Sequence, residues 1–192
     1  MWKLVGRNAL YVAPLATVNT AGYLLLNHFP LRAPVELPLT GIDTGTPFLL
    51  WTIWIYAALL LADVVLPVLV RDRAIFFRML GAYGIAIGLN FLVWSVYPTV
   101  YPRPEVALDD SLSAAAYRLL LTMDTPACAF PSGHITIPAV ACWGLSLDRP
   151  KAAPWLWAGL ALTSISILTT KQHYLADLFG GLGTALAGVV LS

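Results

Sequence analysis

A histidine paired with an acidic residue near the C-terminus is the clearest sign of chemistry in this chain. His173 and Asp177 stand four residues apart in KQHYLADLFGG (171–181), where an apolar run begins. At that spacing two side chains share one face of a helix. The carboxylate can accept a hydrogen bond from one ring nitrogen and leave the other free as a nucleophile or base. The pair predicts a histidine held in one tautomer, or alternatively an ordinary polar helix end.

A second histidine opens another apolar run, in AFPSGHITIP (129–138). Pro131 followed by Ser132 is a plausible helix start, with Ser132 as its cap. The exposed N–H groups of such a start, with Gly133 permitting close approach, also suit an anion such as phosphate. In that case His134 is placed to give a proton to a departing oxygen.

A loop arginine is the third candidate for the same site. Arg103, in YPTVYPRPEV (97–106), offers a planar fork for phosphate oxygens. A solvated loop arginine is the alternative. Asp124 could orient Arg103 or Lys171, or simply cap a turn.

The composition places these residues in a membrane protein. Mean hydropathy is +0.77 and 11% of the residues are charged, against roughly 25% in soluble domains. The charges are bunched between long apolar runs. A formal net charge of +1 without a dense basic patch gives no reason to expect nucleic acid as a partner. The two cysteines do not form a disulfide framework.

The apolar runs predict the elements that position the site. A bilayer-spanning helix needs about 20 mostly apolar residues, and six segments are candidates: 9–28, 47–70, 74–97, 132–148, 152–170 and 173–192. A helix over 108–123 begins with capping Asp residues and is too short to cross, so it is expected at the interface. The prediction is an all-α, polytopic membrane protein: six transmembrane helices, a short interfacial helix between spans 3 and 4, and one domain over 1–192.

The ends of the chain and its basic residues predict an orientation. The N-terminus is basic and then apolar, like a signal peptide, but it lacks a small-residue cleavage site, so a retained first span is expected. Lys and Arg favour cytoplasmic segments, and an N-in arrangement puts seven of them inside and four outside: Lys3, Arg7, Arg71, Arg73, Arg78, Arg149 and Lys151 against Arg32, Arg103, Arg118 and Lys171. Both termini are therefore expected in the cytoplasm, and both histidine stretches on the extracytoplasmic face of a plasma (inner) membrane.

Polar residues inside the spans are functional candidates by default. Asn90 is nearer the outer face and could touch a substrate. Asp63 is nearer the inner face, so it is expected to pair with Arg71 or a neighbouring helix, away from the histidines. The glycines of the last span suit close helix packing.

Together the motifs resemble a known family, the type 2 phosphatidic acid phosphatases, which are membrane relatives of the vanadium haloperoxidases and bacterial acid phosphatases. That family has Lys and, seven residues later, Arg-Pro; then Pro-Ser-Gly-His; then Ser-Arg, five residues, His, three residues and Asp. Arg103-Pro, Pro-Ser-Gly-His (131–134) and His173 with Asp177 match these motifs over roughly 97–181.

The resemblance implies a role for each matching residue. His173 is similar to the nucleophile that attacks phosphorus, Asp177 to its orienting partner and His134 to the general acid for the leaving group. Arg103, Ser132 and Gly133 match the residues that contact phosphate. The resemblance also implies a phosphohistidine intermediate, attack by water, and no metal or other cofactor.

Two cations of the family pattern are missing here. Val96 stands where the first-motif Lys belongs, and Ile167 stands where the third-motif Arg belongs, although Ser166 matches the Ser before it. Lys171, two residues before His173, is expected to substitute as a phosphate-binding cation, because charge must stabilise the transition state. Arg118 is a weaker candidate.

The sequence thus predicts a metal-independent membrane enzyme that hydrolyses a lipid phosphate or diphosphate, with the bilayer and that lipid as its partners. The stretches YPTVYPR, MDTPACAFPSGH and KQHYLAD resemble the branch that contains inositol phosphorylceramide synthase-like proteins. Members of that branch can move a phospho-headgroup to an alcohol, so a lipid phosphotransferase is one alternative. A non-catalytic lipid-binding or flippase-like protein is the other.

Overall fold

The computed structural model describes residues 2–192, and over this range the chain is predominantly helical. Its eight α-helices are α1 (Trp2–His28), α2 (Gly41–Gly45), α3 (Ile53–Val68), α4 (Arg73–Val96), α5 (Leu112–Met123), α6 (Gly133–Asp148), α7 (Ala153–Thr169) and α8 (Leu175–Leu191). Two short strands, β1 (Val35–Glu36) and β2 (Thr99–Val100), pair in parallel. Met1, at which the predicted single domain begins, lies outside the described residues.

Six of these helices occupy the segments predicted as spans. Within residues 2–192, four helical segments have the length and hydropathy to cross a bilayer: Lys3–His28, Leu50–Val68, Arg73–Val96 and Pro150–Thr169. By contrast α6 has 16 residues and α8 has 17, fewer than the roughly 20 that a span needs. An all-helical fold is confirmed, and the count of six crossings stays a prediction.

The core of the bundle is built around α6, which packs against α3, α4, α7 and α8. Ten of its residues, between Ile135 and Leu145, are buried. A helix that is apolar on every side is expected in the middle of a bundle. Because α6 begins at Pro-Ser-Gly-His, that motif is fixed at one end of the central helix.

The helix predicted over 108–123 begins later than expected. It starts at Leu112, and Ser111 is the N-cap, because its hydroxyl accepts a hydrogen bond from the Ala114 N–H at 3.2 Å. The expectation that Asp residues cap this helix was wrong: Asp109 instead accepts a hydrogen bond from the Ser111 N–H at 3.1 Å. Its place at the membrane interface stays a prediction.

The segment that leads into α6 is held by other elements. The side-chain oxygen of Asn27, near the end of α1, accepts from the Thr125 N–H at 3.0 Å, and its amide donates to the Ala127 carbonyl at 2.9 Å. Closer to the motif, the Trp94 indole N–H donates to the Pro131 carbonyl at 3.1 Å. These bonds fix the approach of the chain to Ser132 and His134.

Candidate active site

The predicted contact between His173 and Asp177 is present. His173 Nδ1 lies 2.9 Å from Asp177 Oδ2, and both side chains are buried. The carboxylate only accepts hydrogen bonds when ionised, so this pairing favours a proton on Nδ1 and leaves Nε2 with a free lone pair.

The geometry of that contact differs from the expected helical face. Tyr174 is the N-cap of α8, so His173 precedes the helix. Asp177 lies in the first turn and its Oδ2 also accepts from the Tyr174 N–H at 2.9 Å. The carboxylate therefore acts as a helix cap and a histidine partner at once, and the two interpretations of the sequence are compatible.

A tight turn after α7 delivers His173 to this place. The Lys171 N–H donates to the Leu168 carbonyl at 3.1 Å, and the Gln172 N–H donates to the Ile167 carbonyl at 3.0 Å. These are the two bonds of a Schellman helix end, whose turning residue has a left-handed backbone. Lys171 is that residue, with φ 55°.

Ser132 joins the start of α6 to α8. Its backbone N–H donates to the Asp177 carbonyl at 3.0 Å. Ser132 is the N-cap of α6, yet its hydroxyl makes no capping bond within the described part of the chain. The hydroxyl lies 3.4 Å from His173 Nε2 instead. The predicted N-cap position of Ser132 is therefore confirmed, but its side chain faces the histidine.

This contact between α6 and α8 requires a glycine. A Cβ at Gly181 would lie 2.6 Å from the Ser132 carbonyl oxygen and 2.9 Å from the Cβ of Ile135. Both distances are shorter than real Cβ atoms show. The absence of a side chain at Gly181 therefore lets the two motifs come together, as close helix packing predicts.

The second histidine lies beside the first. The ring centroids of His134 and His173 are 5.5 Å apart, with planes at 75°. His134 Nε2 is 2.8 Å from the Tyr56 hydroxyl, which comes from α3. Sequence reasoning missed Tyr56, although a buried tyrosine hydroxyl usually has a hydrogen-bond partner.

Arg103 is held at the edge of the site by Asp124. Its guanidinium donates to Asp124 Oδ2 at 3.1 Å and to the Asp124 carbonyl at 2.6 Å. Asp124 Oδ1 accepts a short hydrogen bond from the Tyr23 hydroxyl. The expected orientation of Arg103 by Asp124 is therefore found, with Tyr23 as an additional partner.

Lys171 points elsewhere. Its ammonium donates to the carbonyl oxygens of Asp43 and Thr46, at 2.9 and 2.5 Å, in and just after α2. Burial lowers the pKa of Lys171, and the charge of Asp43 opposes that shift. In this structure the ammonium therefore braces the α2 turn. The expected contact of Lys171 with phosphate stays a prediction.

Asp43 completes that brace and was not anticipated from the sequence. Its Oδ1 accepts from the Leu175 N–H at 2.6 Å, and its Oδ2 accepts from the Thr40 N–H at 2.7 Å. Burial raises the pKa of Asp43, but the hydrogen bonds from Thr40 and Leu175 and the charge of Lys171 outweigh it, so the pKa lies below its ordinary value. The α2 turn therefore supports the start of α8.

Both histidines line a cavity of ≈ 320 Å³. Its walls come from α1, α3, α4, α5 and α6, including Trp94 of α4 and Gly133 of α6. Asp124, which follows α5, also contributes. Three apolar residues that line the cavity are also partly exposed on the outside of the bundle: Leu24 (38% exposed), Leu60 (45%) and Val64 (47%). The cavity therefore reaches the apolar surface of the bundle between α1 and α3.

Two polar residues of the spans are placed differently from expectation. Asn90 is buried and its amide donates to the Thr136 hydroxyl at 3.1 Å, so it joins α4 to α6. Asp63 lines the cavity that holds the histidines, so the expectation that it lies away from the site was wrong. The reason is that the cavity runs along α3 for about two turns, from Tyr56 to Val64.

Among residues 2–192, no group of three or more His, Cys, Asp or Glu side chains could hold a metal ion. Metal independence itself stays a prediction from the resemblance.

Comparison with known proteins agrees with the motifs. No curated protein matches this chain. A sequence model of the PAP2 superfamily matches residues 31–191, which include every catalytic and phosphate-binding residue predicted from the sequence. Members of that superfamily are generally phosphatases or phosphotransferases, and the four long apolar helices are consistent with a membrane protein. The similarity to the inositol phosphorylceramide synthase-like branch stays a prediction. The chain therefore belongs to the PAP2 superfamily, the group of the type 2 phosphatidic acid phosphatases that its motifs resemble.

Proposed function

We propose that this protein is a membrane phosphatase that hydrolyses a phosphomonoester or diphosphate of a lipid through a phosphohistidine intermediate. The observation that carries the proposal is the pairing of His173 with a buried carboxylate beside a second histidine, in a cavity that reaches the apolar surface. A lipid headgroup can meet the histidines while its chain stays in apolar surroundings.

The first chemical step uses both histidines. His173 Nε2 attacks phosphorus as the bond from phosphorus to the leaving oxygen breaks, while Asp177 holds the proton on Nδ1 and stabilises the cationic ring. His134 donates a proton to the leaving oxygen. In the second step His134 takes a proton from water, the water oxygen bonds to phosphorus, and the bond to His173 breaks.

The charge that develops on the phosphoryl oxygens needs donors. Arg103 supplies a guanidinium through its bond to Asp124, which lines the same cavity as His134. The first turn of α6 supplies the backbone N–H groups of Gly133 and His134, which have no carbonyl partner within the helix. Such preorganised donors stabilise a phosphoryl transition state. Lys171 is left out of this set because its ammonium is bonded to the α2 turn.

We further propose that α1, α3, α4, α6, α7 and α8 cross the plasma (inner) membrane, with both termini in the cytoplasm. The excess of Lys and Arg in the predicted inner segments supports this orientation. The site then lies on the extracytoplasmic side, where α5 covers it from the interface.

Phosphate release tests the proposal. The purified protein in detergent, with EDTA present, is incubated with phosphatidic acid, phosphatidylglycerol phosphate and a polyprenyl diphosphate, beside a His173→Ala control. Release from at least one lipid by the wild type alone is the expected result. Absence of release from all of them would contradict hydrolysis, and product analysis with an added alcohol such as inositol then distinguishes transfer from no activity.

A further inference from the structure

The acidic residue Asp63 faces the cavity from the middle of α3. It is seven residues beyond Tyr56, so both lie on one face of the helix, about 10 Å apart along its axis. Leu60 and Val64 complete this face. The cavity therefore extends from the histidines to a carboxyl group roughly two turns deeper.

The carboxyl group of Asp63 lacks a partner. Its Oδ1 is buried, and no hydrogen bond to it exists within residues 2–192. A buried polar group left unsatisfied costs about 1–3 kcal/mol, and an ionisable residue inside a span is rare unless it serves a function. The contacts of the fold therefore do not explain why a carboxyl group stands at this position.

The backbone carbonyl of Asp63 has a hydrogen-bond partner, so the unusual feature is the side chain alone. Pro67, four residues later in α3, has no N–H to offer the Asp63 carbonyl. The Tyr83 hydroxyl supplies that bond at 3.0 Å. The hydroxyl of Tyr83 is thereby committed to the backbone, not to the carboxyl group.

Polar side chains of α1 line the same cavity. Asn19 and Thr20 belong to one face of α1 together with Ala16, Tyr23 and Leu24, all of which line it. An amide, a hydroxyl and a carboxyl group thus contribute to a wall that is otherwise made mostly of apolar and aromatic side chains. A plain hydrocarbon chain would bury these groups without partners.

We propose that Asp63, with Asn19 and Thr20, forms a second subsite that binds a hydrogen-bond donor, a hydroxyl or an amide N–H, on the chain of the lipid substrate. This inference rests on the proposed function, because the phosphate at the histidines sets the depth that the chain reaches. The donor lies about two helical turns from the phosphate, or about 10 Å. Lipid phosphates with an unsubstituted chain are the poorer substrates.

Binding tests the subsite separately from turnover. Hexadecyl phosphate and hexadecyl phosphates with one hydroxyl, moved along the chain, are titrated calorimetrically into His173→Ala protein in detergent. The same titrations use protein that also carries Asp63→Leu, which removes the carboxyl group at similar volume, or Val64→Ala, a control on the same face. Thermal melting confirms that each variant is folded.

The expected result is a preference for one hydroxyl position of about tenfold in Kd, which is lost in Asp63→Leu and kept in Val64→Ala. Equal affinity for all chains, no binding of any, or a preference that survives Asp63→Leu would overturn the subsite. Butyl phosphate is too short to reach Asp63. Its turnover is measured in the wild-type protein and in the single variant Asp63→Leu, both of which retain His173. Its absence from both would count against the proposed function, whereas the calorimetric result still decides the subsite.

Discussion

Two walls of the cavity are held by different kinds of contact. On one side, which we call the α8 wall, His173 lines the cavity, and Ser132 and Asp177 lie behind it. All three are buried, and the Ser132 N–H donates to the Asp177 carbonyl at 3.0 Å. The α3 wall (Tyr56, Leu60, Asp63 and Val64) is linked to a histidine by one side-chain bond, and Leu60 and Val64 are exposed. The contrast indicates that one wall fixes the reacting groups and the other accommodates a chain.

The largest effect is expected on the α8 wall. His173→Ala should lower the initial rate of phosphate release by about 10⁴-fold or more, because the nucleophile is lost. His28→Ala is the control, since His28 is exposed at the end of α1 and should leave the rate unchanged. A rate within tenfold of wild type in His173→Ala would falsify the assignment of the nucleophile.

A glycine substitution tests whether this wall depends on close packing. Gly181→Ala places a Cβ 2.6 Å from the Ser132 carbonyl oxygen, so α8 must move away from α6. A shift on the order of 1 Å at a reacting group lowers kcat by about 10²-fold. The measurement is kcat with a lipid phosphate beside a melting curve.

Gly183→Ala is the matched control for that substitution. A Cβ at Gly183 meets no atom within 4 Å among the described residues, so kcat should be unchanged. Equal losses in both variants would show that the result reflects helix propensity and not the distance between α6 and α8.

The α8 wall was also the part of the site that the sequence predicted best. The partnership of His173 with Asp177 follows from a spacing of four, and the six main helices follow from the apolar runs. Both are local patterns. Even so, the local pattern placed His173 on the helix, because the capping bond from the Tyr174 N–H to Asp177 could not be distinguished from a helical turn.

The α3 wall was missed because it depends on how helices pack. Tyr56 reaches His134 from 78 residues away, and Asp63 reaches the same cavity only through the rotation of α3. No spacing within α3 encodes that rotation. The contacts of Lys171 were missed for a related reason: it lies close to His173 in the sequence, but the turn directs its ammonium to Asp43 and Thr46.

An intermediate effect is expected at Tyr56, a positioning residue on the α3 wall. Tyr56→Phe removes the hydrogen bond to His134 Nε2 and should lower kcat for an alkyl phosphate about tenfold, because the general acid is no longer held. The loss should be smaller with nitrophenyl phosphate, whose leaving group needs little protonation.

Tyr83→Phe provides the comparison for Tyr56→Phe. Tyr83 lines the same cavity but donates to the Asp63 carbonyl, so any loss should be equal for the two leaving groups. A Tyr56→Phe variant with the same loss on both esters would point to a purely structural role for Tyr56.

The smallest effect on the chemical step is expected at Lys171, which supports the α8 wall from behind. Lys171→Ala removes a buried ammonium that donates to two carbonyl groups, and a hydrogen bond from a charged group contributes roughly 1.5–3 kcal/mol. We expect Tm to fall by several degrees while kcat of the folded protein stays near wild type. Melting curves and kcat are measured on the same preparation.

A second variant separates bracing from phosphate binding. The Lys171 backbone has φ 55°, a region in which glycine is comfortable and alanine is disfavoured by roughly 1 kcal/mol. If the ammonium only braces the turn, Lys171→Gly should melt above Lys171→Ala, with both near the wild-type kcat. If the ammonium instead moves to the phosphate during turnover, both variants should lose kcat alike, by about 10²-fold or more, whatever their Tm. That outcome would restore Lys171 to the phosphate-binding groups and would mean that the α8 wall moves when substrate binds.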